Sequence, residues 1–284
     1  MHSRIIYNHR LLDAAKARGE VVTAATLYGR GVFTTLAVVH ARPFLWPAHW
    51  RRLMEHAARL RVDTSGIEEE AARDSLNRLI AANEVEDGRA RLTLLAGKGR
   101  GGWETEEASA AQTSLLIMTG EAHAALDEGL ALTVSPYRRN TLSPLAGIKS
   151  LNYLEHVMAL EEARARDFDE AVALNERGEL VSATNANLFW VTDGTIHTPS
   201  LATSALAGTT RARVVELAHE LSIPCIEGVY DLSHLNDADE IFLTSAGLGV
   251  AIVTTFDFHR YTVAVGSVAL RMHEAFRQLT LRAE

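Results

Sequence analysis

The feature that most constrains the fold is a break in pattern at residues 120–129 (GEAHAALDEG), a polar, alanine-rich segment with glycine at both ends. On either side of it the hydrophobic residues are spaced for both strands and helices, so the 284-residue chain reads as two α+β units joined by a linker. The expected division is a small N-terminal unit over 1–119, a linker over 120–129 and a larger unit over 130–284.

In the first unit, residues 29–46 (GRGVFTTLAVVHARPFLW) hold two β-rich runs, 32–39 and 43–46, joined at His40-Ala41-Arg42 as a hairpin. After Pro47, Trp50, Leu53, Met54, Ala57 and Leu60 fall at helical spacing. A second helix is expected over 67–82, and strands over 89–96 and 115–118. In the second unit, 130–136 reads as a strand and 152–166 as a helix. Short strands with turn signals follow at 171–174, 180–181, 188–191 and 196–198. A helix from 211 to 221, strands at 240–244 and 250–254 and a closing helix over 267–282 complete the pattern.

Composition removes several classes of function. With 28 basic against 36 acidic residues the formal net charge is −8, which argues against a broad surface for nucleic acid. No apolar run approaches the ~18 residues that a membrane-spanning helix needs. Cys225 is the single cysteine, and the charged N-terminus lacks a signal peptide's apolar core, so a cytoplasmic location is expected. Histidine and cysteine show no metal-ligand spacing, so no metal is expected.

Glycines 97, 99 and 102 spell G-x-G-x-x-G after a predicted strand. The segment 103–114 (WETEEASAAQTS) has no apolar face to make the helix that a dinucleotide site requires, so a glycine-rich loop is the better reading. Nucleophile-elbow and Walker sequences are absent.

Basic composition is more informative: 25 residues are arginine and only Lys16, Lys98 and Lys149 are lysine. A lysine that attacks a carbonyl must be partly desolvated so that its amine is neutral near pH 7. Lys16 lies among charges and Lys98 among glycines, whereas Lys149 is surrounded by Leu145, Ile148, Leu151 and Leu154 at the expected entry to a helix. It reads either as a nucleophile or as a lysine snorkelling from a helix start. Gly208-Thr209-Thr210 precedes another predicted helix and offers N–H groups, two hydroxyls and a helix dipole; it reads either as a phosphate seat or as an ordinary threonine cap. A desolvated lysine with a phosphate seat points to pyridoxal 5′-phosphate.

The segments YGRGVFTT (28–35), AHWRRL (48–53), SPLAGIKSLNYLE (143–155), NERGELVSATNANLFWV (175–191), LAGTTRARVVEL (206–217) and DADEIFLTSAG (237–247) extend this reading. Together they resemble the class IV aminotransferases, the fold type IV pyridoxal-phosphate enzymes, over nearly the whole chain. GVFTT, LAGIK-x-LN and ANLFW look most like aminodeoxychorismate lyase, and IKSLN also resembles D-amino-acid aminotransferase.

The resemblance implies a two-domain α+β fold, a small α/β domain beside a larger barrel-like β domain, and a homodimer acting on a small amino substrate. It implies that Lys149 carries the cofactor and shuttles the Cα proton. Arg52 would bind the phosphate with Thr209 and Thr210, and Ser245, Thr184 and Asn185 would face the cofactor. Tyr153 would meet its phenolic oxygen or serve as a core aromatic. Phe33 would line the substrate pocket or only pack, and Arg138 with Arg139 would attract substrate carboxylates or remain solvated.

Two positions depart from the family. Relatives place a glutamate against the pyridine nitrogen five residues before the asparagine of N-L-F, where this chain has Ser182. Lyase relatives have an arginine where this chain has Ala96, which leaves Arg100 as a substitute for substrate recognition. A serine makes the ring a weaker electron sink, which should hurt transamination more than elimination. The leading expectation is therefore a lyase cleaving 4-amino-4-deoxychorismate to 4-aminobenzoate and pyruvate. The alternatives are an aminotransferase for branched-chain or D-amino acids, or a non-catalytic cofactor-binding relative.

Overall fold

The computed structural model describes residues 1–97, 113–122 and 129–282. The glycine-rich segment with Lys98 and Arg100 lies outside the described residues. The chain separates into two compact units: Met1–His123 with Ile148–Asn152, and Ala124–Gly147 with Tyr153–Glu284.

The first unit contains β1 (Arg4–Tyr7), β2 (Arg10–Asp13), α1 (Ala24–Tyr28), β3 (Gly31–Val39), β4 (Arg42–Pro43), α2 (Trp46–Arg59), α3 (Glu69–Ala82), β5 (Gly88–Leu95) and β6 (Ser114–Glu121). Its sheet is antiparallel in the order β2-β1-β6-β5-β3-β4. Alternation on β3 sends Val32, Leu36 and Val38 into a core that Leu53 and Ala57 of α2, Leu76, Leu79 and Ile80 of α3, and Leu92 and Leu94 of β5 complete.

Three expectations are corrected here. The second arm of the hairpin is only two residues long, because Leu45 turns into the left-handed region (φ 53°) and Trp46 opens α2 with Pro47 in its first turn. Gly120 and Glu121, expected in the linker, continue β6 as partners of Arg89 and Gly88. Residues 4–13 form a hairpin that was not foreseen.

The second unit contains β7 (Leu130–Arg139), α4 (Leu154–Ala165), β8 (Glu170–Asn175), β9 (Leu180–Ala183), β10 (Asn187–Thr192), β11 (Thr195–Pro199), α5 (Thr209–Glu220), β12 (Cys225–Gly228), α6 (Ser233–Asn236), β13 (Glu240–Ser245), β14 (Gly249–Phe256), β15 (His259–Arg260) and α7 (Val268–Leu281). Its mixed sheet runs β12-β11-β10-β13-β14-β7-β8-β9, with β15 pairing β14. The parallel pairs β14/β7, β7/β8 and β11/β12 sit among antiparallel ones. Leu188 and Trp190 of β10, Ile241 and Leu243 of β13 and Val253 of β14 share one core. No helix among the described residues is long and apolar enough to cross a membrane.

The segment Ile148–Asn152 departs most from expectation. It leads into the Tyr153 cap of α4 as expected, but it belongs to the first unit rather than the second and lies beside the start of β3. Phe33 N–H donates to the Lys149 carbonyl (3.0 Å), Leu151 N–H to the Gly31 carbonyl (3.0 Å) and Asn152 Nδ2 to the Gly29 carbonyl (3.0 Å). Ile148 joins the first unit's core. Gly31 is required because a Cβ there would strike the Leu94 carbonyl and the Leu151 side chain.

Candidate active site

In the first unit, α2 presents His49, Arg52 and His56 on one buried face at helical spacing. Arg52 Nη2 donates to Thr34 Oγ1 on β3 (3.1 Å), and that oxygen lies 2.8 Å from His49 Nδ1. The Lys149 main-chain N–H donates to His56 Nδ1 (3.1 Å). The Lys149 Nζ stands 4.7 Å from the centre of the Phe33 ring, and the Arg91 guanidinium of β5 stands 3.6 Å from it. Lys149, Arg52 and Phe33, all expected from the sequence, are thus gathered in one place. His49, His56, Thr34 and Arg91 were not foreseen.

The electrostatics follow from burial and crowded positive charge. Desolvation first, and then the charges of Arg52 and Arg91, bring the Lys149 amine down to about 7. Burial, aided by Arg52 and Lys149, holds His49 well below the usual histidine range. The same causes, with Arg59, bring His56 down to about 4. Both imidazoles are therefore neutral at neutral pH, and each has one ring nitrogen that can accept a hydrogen bond.

In the second unit, Thr209 and Thr210 are buried in the first turn of α5 rather than ahead of it. Gly208 is the N-cap and supplies no side-chain acceptor, which leaves this helix end suited to an anion. Asn187 Nδ2 donates to the Leu206 carbonyl (2.8 Å), and a Cβ on Gly208 would strike Asn187 Oδ1, so Asn187 and Gly208 fix where α5 begins. Asn187 is paired across the sheet with Thr244. The Thr244 side chain is 1% exposed, and its Oγ1 has no hydrogen-bond partner among the described residues. Next to it, Ser245 Oγ accepts the Leu248 N–H (3.1 Å) and shapes the turn after β13.

The remaining expected residues are more scattered. Ser182 on β9 is half-buried and donates to the Ala183 carbonyl (2.8 Å). Thr184 is buried and bonded through both N–H and Oγ1 to the Glu170 carboxyl, which burial pushes upward; Asn185 beside it is exposed. Tyr153 precedes α4 and stacks on His156 at 3.9 Å. Arg138 is exposed and bonded to the Ser135 carbonyl (3.2 Å), while Arg139 pairs with Glu155 (3.0 Å).

The model of the family described as Amino-transferase class IV matches residues 31–256. The chain belongs to this family. It is a pyridoxal-phosphate-dependent enzyme of fold type IV, with a small antiparallel-sheet unit and a curled mixed-sheet unit. Among class IV relatives, a putative branched-chain-amino-acid aminotransferase of Methanocaldococcus jannaschii is 30% identical over 281 residues, covering 97% of this chain and 96% of the relative. The aminodeoxychorismate lyase of Bacillus subtilis is 29% identical, covering 90% of this chain and 88% of the lyase. The branched-chain aminotransferase of Thermoproteus uzoniensis, solved with norvaline, matches with a TM-score of 0.89 at 26% identity, covering 100% of this chain and 96% of that one.

Proposed function

We propose that this chain is an aminotransferase whose amino donor is a branched-chain amino acid. Lys149 carries the reading: it is one of three lysines and is held against Phe33, where the charges of Arg52 and Arg91 act on it and its amine titrates near neutrality. A neutral amine can attack an aldehyde and can afterwards take and return a proton at a substrate Cα, the two duties a transaminase asks of one residue. Similarity to the Methanocaldococcus aminotransferase over almost the full length of both chains supports the choice of reaction.

The residues present fit pyridoxal phosphate. The Thr244 hydroxyl, buried beside the Asn187 that anchors the start of α5, is the kind of donor that a phosphate monoester takes up. Thr209, Thr210 and Ser245 are proposed to hold the phosphate, with Arg52 as its counter-charge. Tyr153, Thr184 and Asn185 are proposed to contact the ring side of the cofactor, and Ser182 to stand toward the pyridine nitrogen. When bound, the cofactor supplies the aldehyde to which Lys149 attaches and a ring that stabilises charge at Cα. Phe33 offers an apolar wall to a branched side chain. Arg91, fixed over that wall, is a better seat for a substrate carboxylate than the exposed Arg138. Two copies of the chain are proposed to form the working unit, a point light scattering decides.

A second reading, the lyase acting on 4-amino-4-deoxychorismate, is supported by the likeness to the Bacillus subtilis lyase and by Ser182, which at the position proposed for it would give the pyridine nitrogen no carboxylate partner. The two are separated by substrate. Leucine, isoleucine or valine with 2-oxoglutarate should yield glutamate, and D-alanine in the same panel tests the D-amino-acid alternative. Pyruvate released from aminodeoxychorismate without any acceptor, and no glutamate from the amino acids, would replace the aminotransferase with the lyase. Cofactor trapped on Lys149 by borohydride without turnover of any substrate would leave a binding protein.

A further inference from the structure

We propose that His56 is a positioning residue for Lys149: its Nδ1 accepts the Lys149 main-chain N–H and so keeps the amine packed against Phe33. The inference deepens the proposed function and rests on Lys149 being the attaching lysine. Lys149 is anchored on both sides of its Cα. Its carbonyl accepts the Phe33 N–H of β3 (3.0 Å) and its N–H reaches His56 of α2 (3.1 Å). The amine hangs on four carbons from that Cα, so its place over the Phe33 ring depends on where the main chain is pinned.

The acceptor must be a neutral imidazole with its hydrogen on Nε2, because a protonated ring has two donors and no acceptor. Every charged or titratable group that acts on His56 favours the neutral form: Arg52 and Arg59 from its own helix and Lys149 from the segment beside β3 are all cationic. Only 5% of the residue is exposed, which adds desolvation in the same direction. α2 therefore supplies two separate services from one face: a guanidinium that lowers the affinity of Lys149 for its proton, and one turn later an acceptor for its main chain. An asparagine at 56 could present an oxygen at similar reach, whereas leucine fills the space without an acceptor.

The test reads the Lys149 amine directly. The full-length chain, freed of cofactor so that the Lys149 amine is not tied up as an imine, is labelled with trace acetic anhydride between pH 5 and 10, and acetylation at each lysine is quantified by mass spectrometry. Lys16, exposed on a turn elsewhere in the unit, serves as the internal control. His56→Leu is expected to raise the Lys149 midpoint by about one pH unit, from about 7, which leaves roughly fivefold less neutral amine at pH 7, as the freed segment lets the amine reach water. Lys16 should not move, and His56→Asn should restore a midpoint close to wild type. A wild-type Lys149 midpoint in folded His56→Leu, or His56→Asn displaced as far as His56→Leu, overturns the proposal. Should His56→Leu not fold, His56→Ala is read in its place: a raised midpoint that His56→Asn does not show supports the role, and a wild-type midpoint in His56→Ala refutes it. Borohydride trapping of pyridoxal phosphate in the wild-type chain at a lysine other than 149 would sink the proposed function, while the Lys149 midpoints would still decide the role of His56.

Discussion

A single amine among many arginines carries a cost that the fold must absorb. Unfolded, Lys149 binds its proton up to about pH 10.5; folded, it releases it near 7, so below pH 7 the folded state holds a cation it disfavours. That penalty is full below pH 7 and fades as pH climbs toward 10.5, because over that interval the unfolded chain binds the extra proton. Lys149→Met should therefore be more stable than wild type at pH 7, by about 1.4 kcal/mol or more, and the difference should shrink toward pH 10. Thermal melts of both proteins across that range check it, and absorbance should show no attached cofactor in the variant. Thr34→Val tests the neighbouring contacts, since it removes the hydroxyl between Arg52 and His49 and should cost about 1–3 kcal/mol in denaturant titrations. Lys149 was legible because lysine is so rare here and its neighbours are apolar. Arg91 and Thr34 were not, because they reach the site through strand register on β3 and β5, which composition does not encode. His49, Arg52 and His56 do carry a signal, three polar residues at helical spacing beside an apolar stripe, of which the arginine alone has an expected role.

At the scale of elements, the start of α5 is set by sterics rather than by backbone strain. Gly208 has φ −69°, open to any residue, yet a Cβ there would meet Asn187 Oδ1 and lie 3.2 Å from the Arg211 Cβ. Gly208→Ala should lower stability by about 1–3 kcal/mol through overpacking and weaken cofactor binding by displacing the helix start. Asn187→Ala removes the obstacle, so the double variant should lose less than the two single losses combined, and a double-mutant cycle read by melts and cofactor titration checks both. The long amphipathic helices α2, α3 and α7 could be read from periodicity to within a few residues. The β1–β2 hairpin could not, because its turn uses Asn8 and His9 at positive φ in place of the asparagine-glycine pair that announces such turns. Thr209 and Thr210 read as lying just outside their helix for a similar reason: the cap is a glycine without a side-chain signal.

At the scale of the whole chain, the change of pattern near residue 120 announced two units, but not that a later segment returns to the first. Ile148–Asn152 reaches β3 across more than a hundred residues of sequence through a single bridge between Ser150 and Val32, and nothing local in it announces that pairing. That return places Lys149, the only lysine of the candidate site among the described residues, in a unit whose contiguous part ends before it. It also makes the first unit's core depend on Ile148, only 7% exposed, which joins the cluster that holds Val32 and Leu94 from outside the contiguous stretch. Ile148→Ala should cost about 2–5 kcal/mol. Its distinguishing consequence is where the loss falls. In hydrogen exchange the amides of β3 and β5 should lose protection, although the substitution lies well beyond the last strand of their own sheet in sequence. Exchange that quickened in β8 and β10 of the second unit while β3 and β5 stayed protected would mean that the segment belongs where its sequence position puts it. The loop would then have to present Lys149 without the support of β3, and the double anchoring of its main chain would be lost with it.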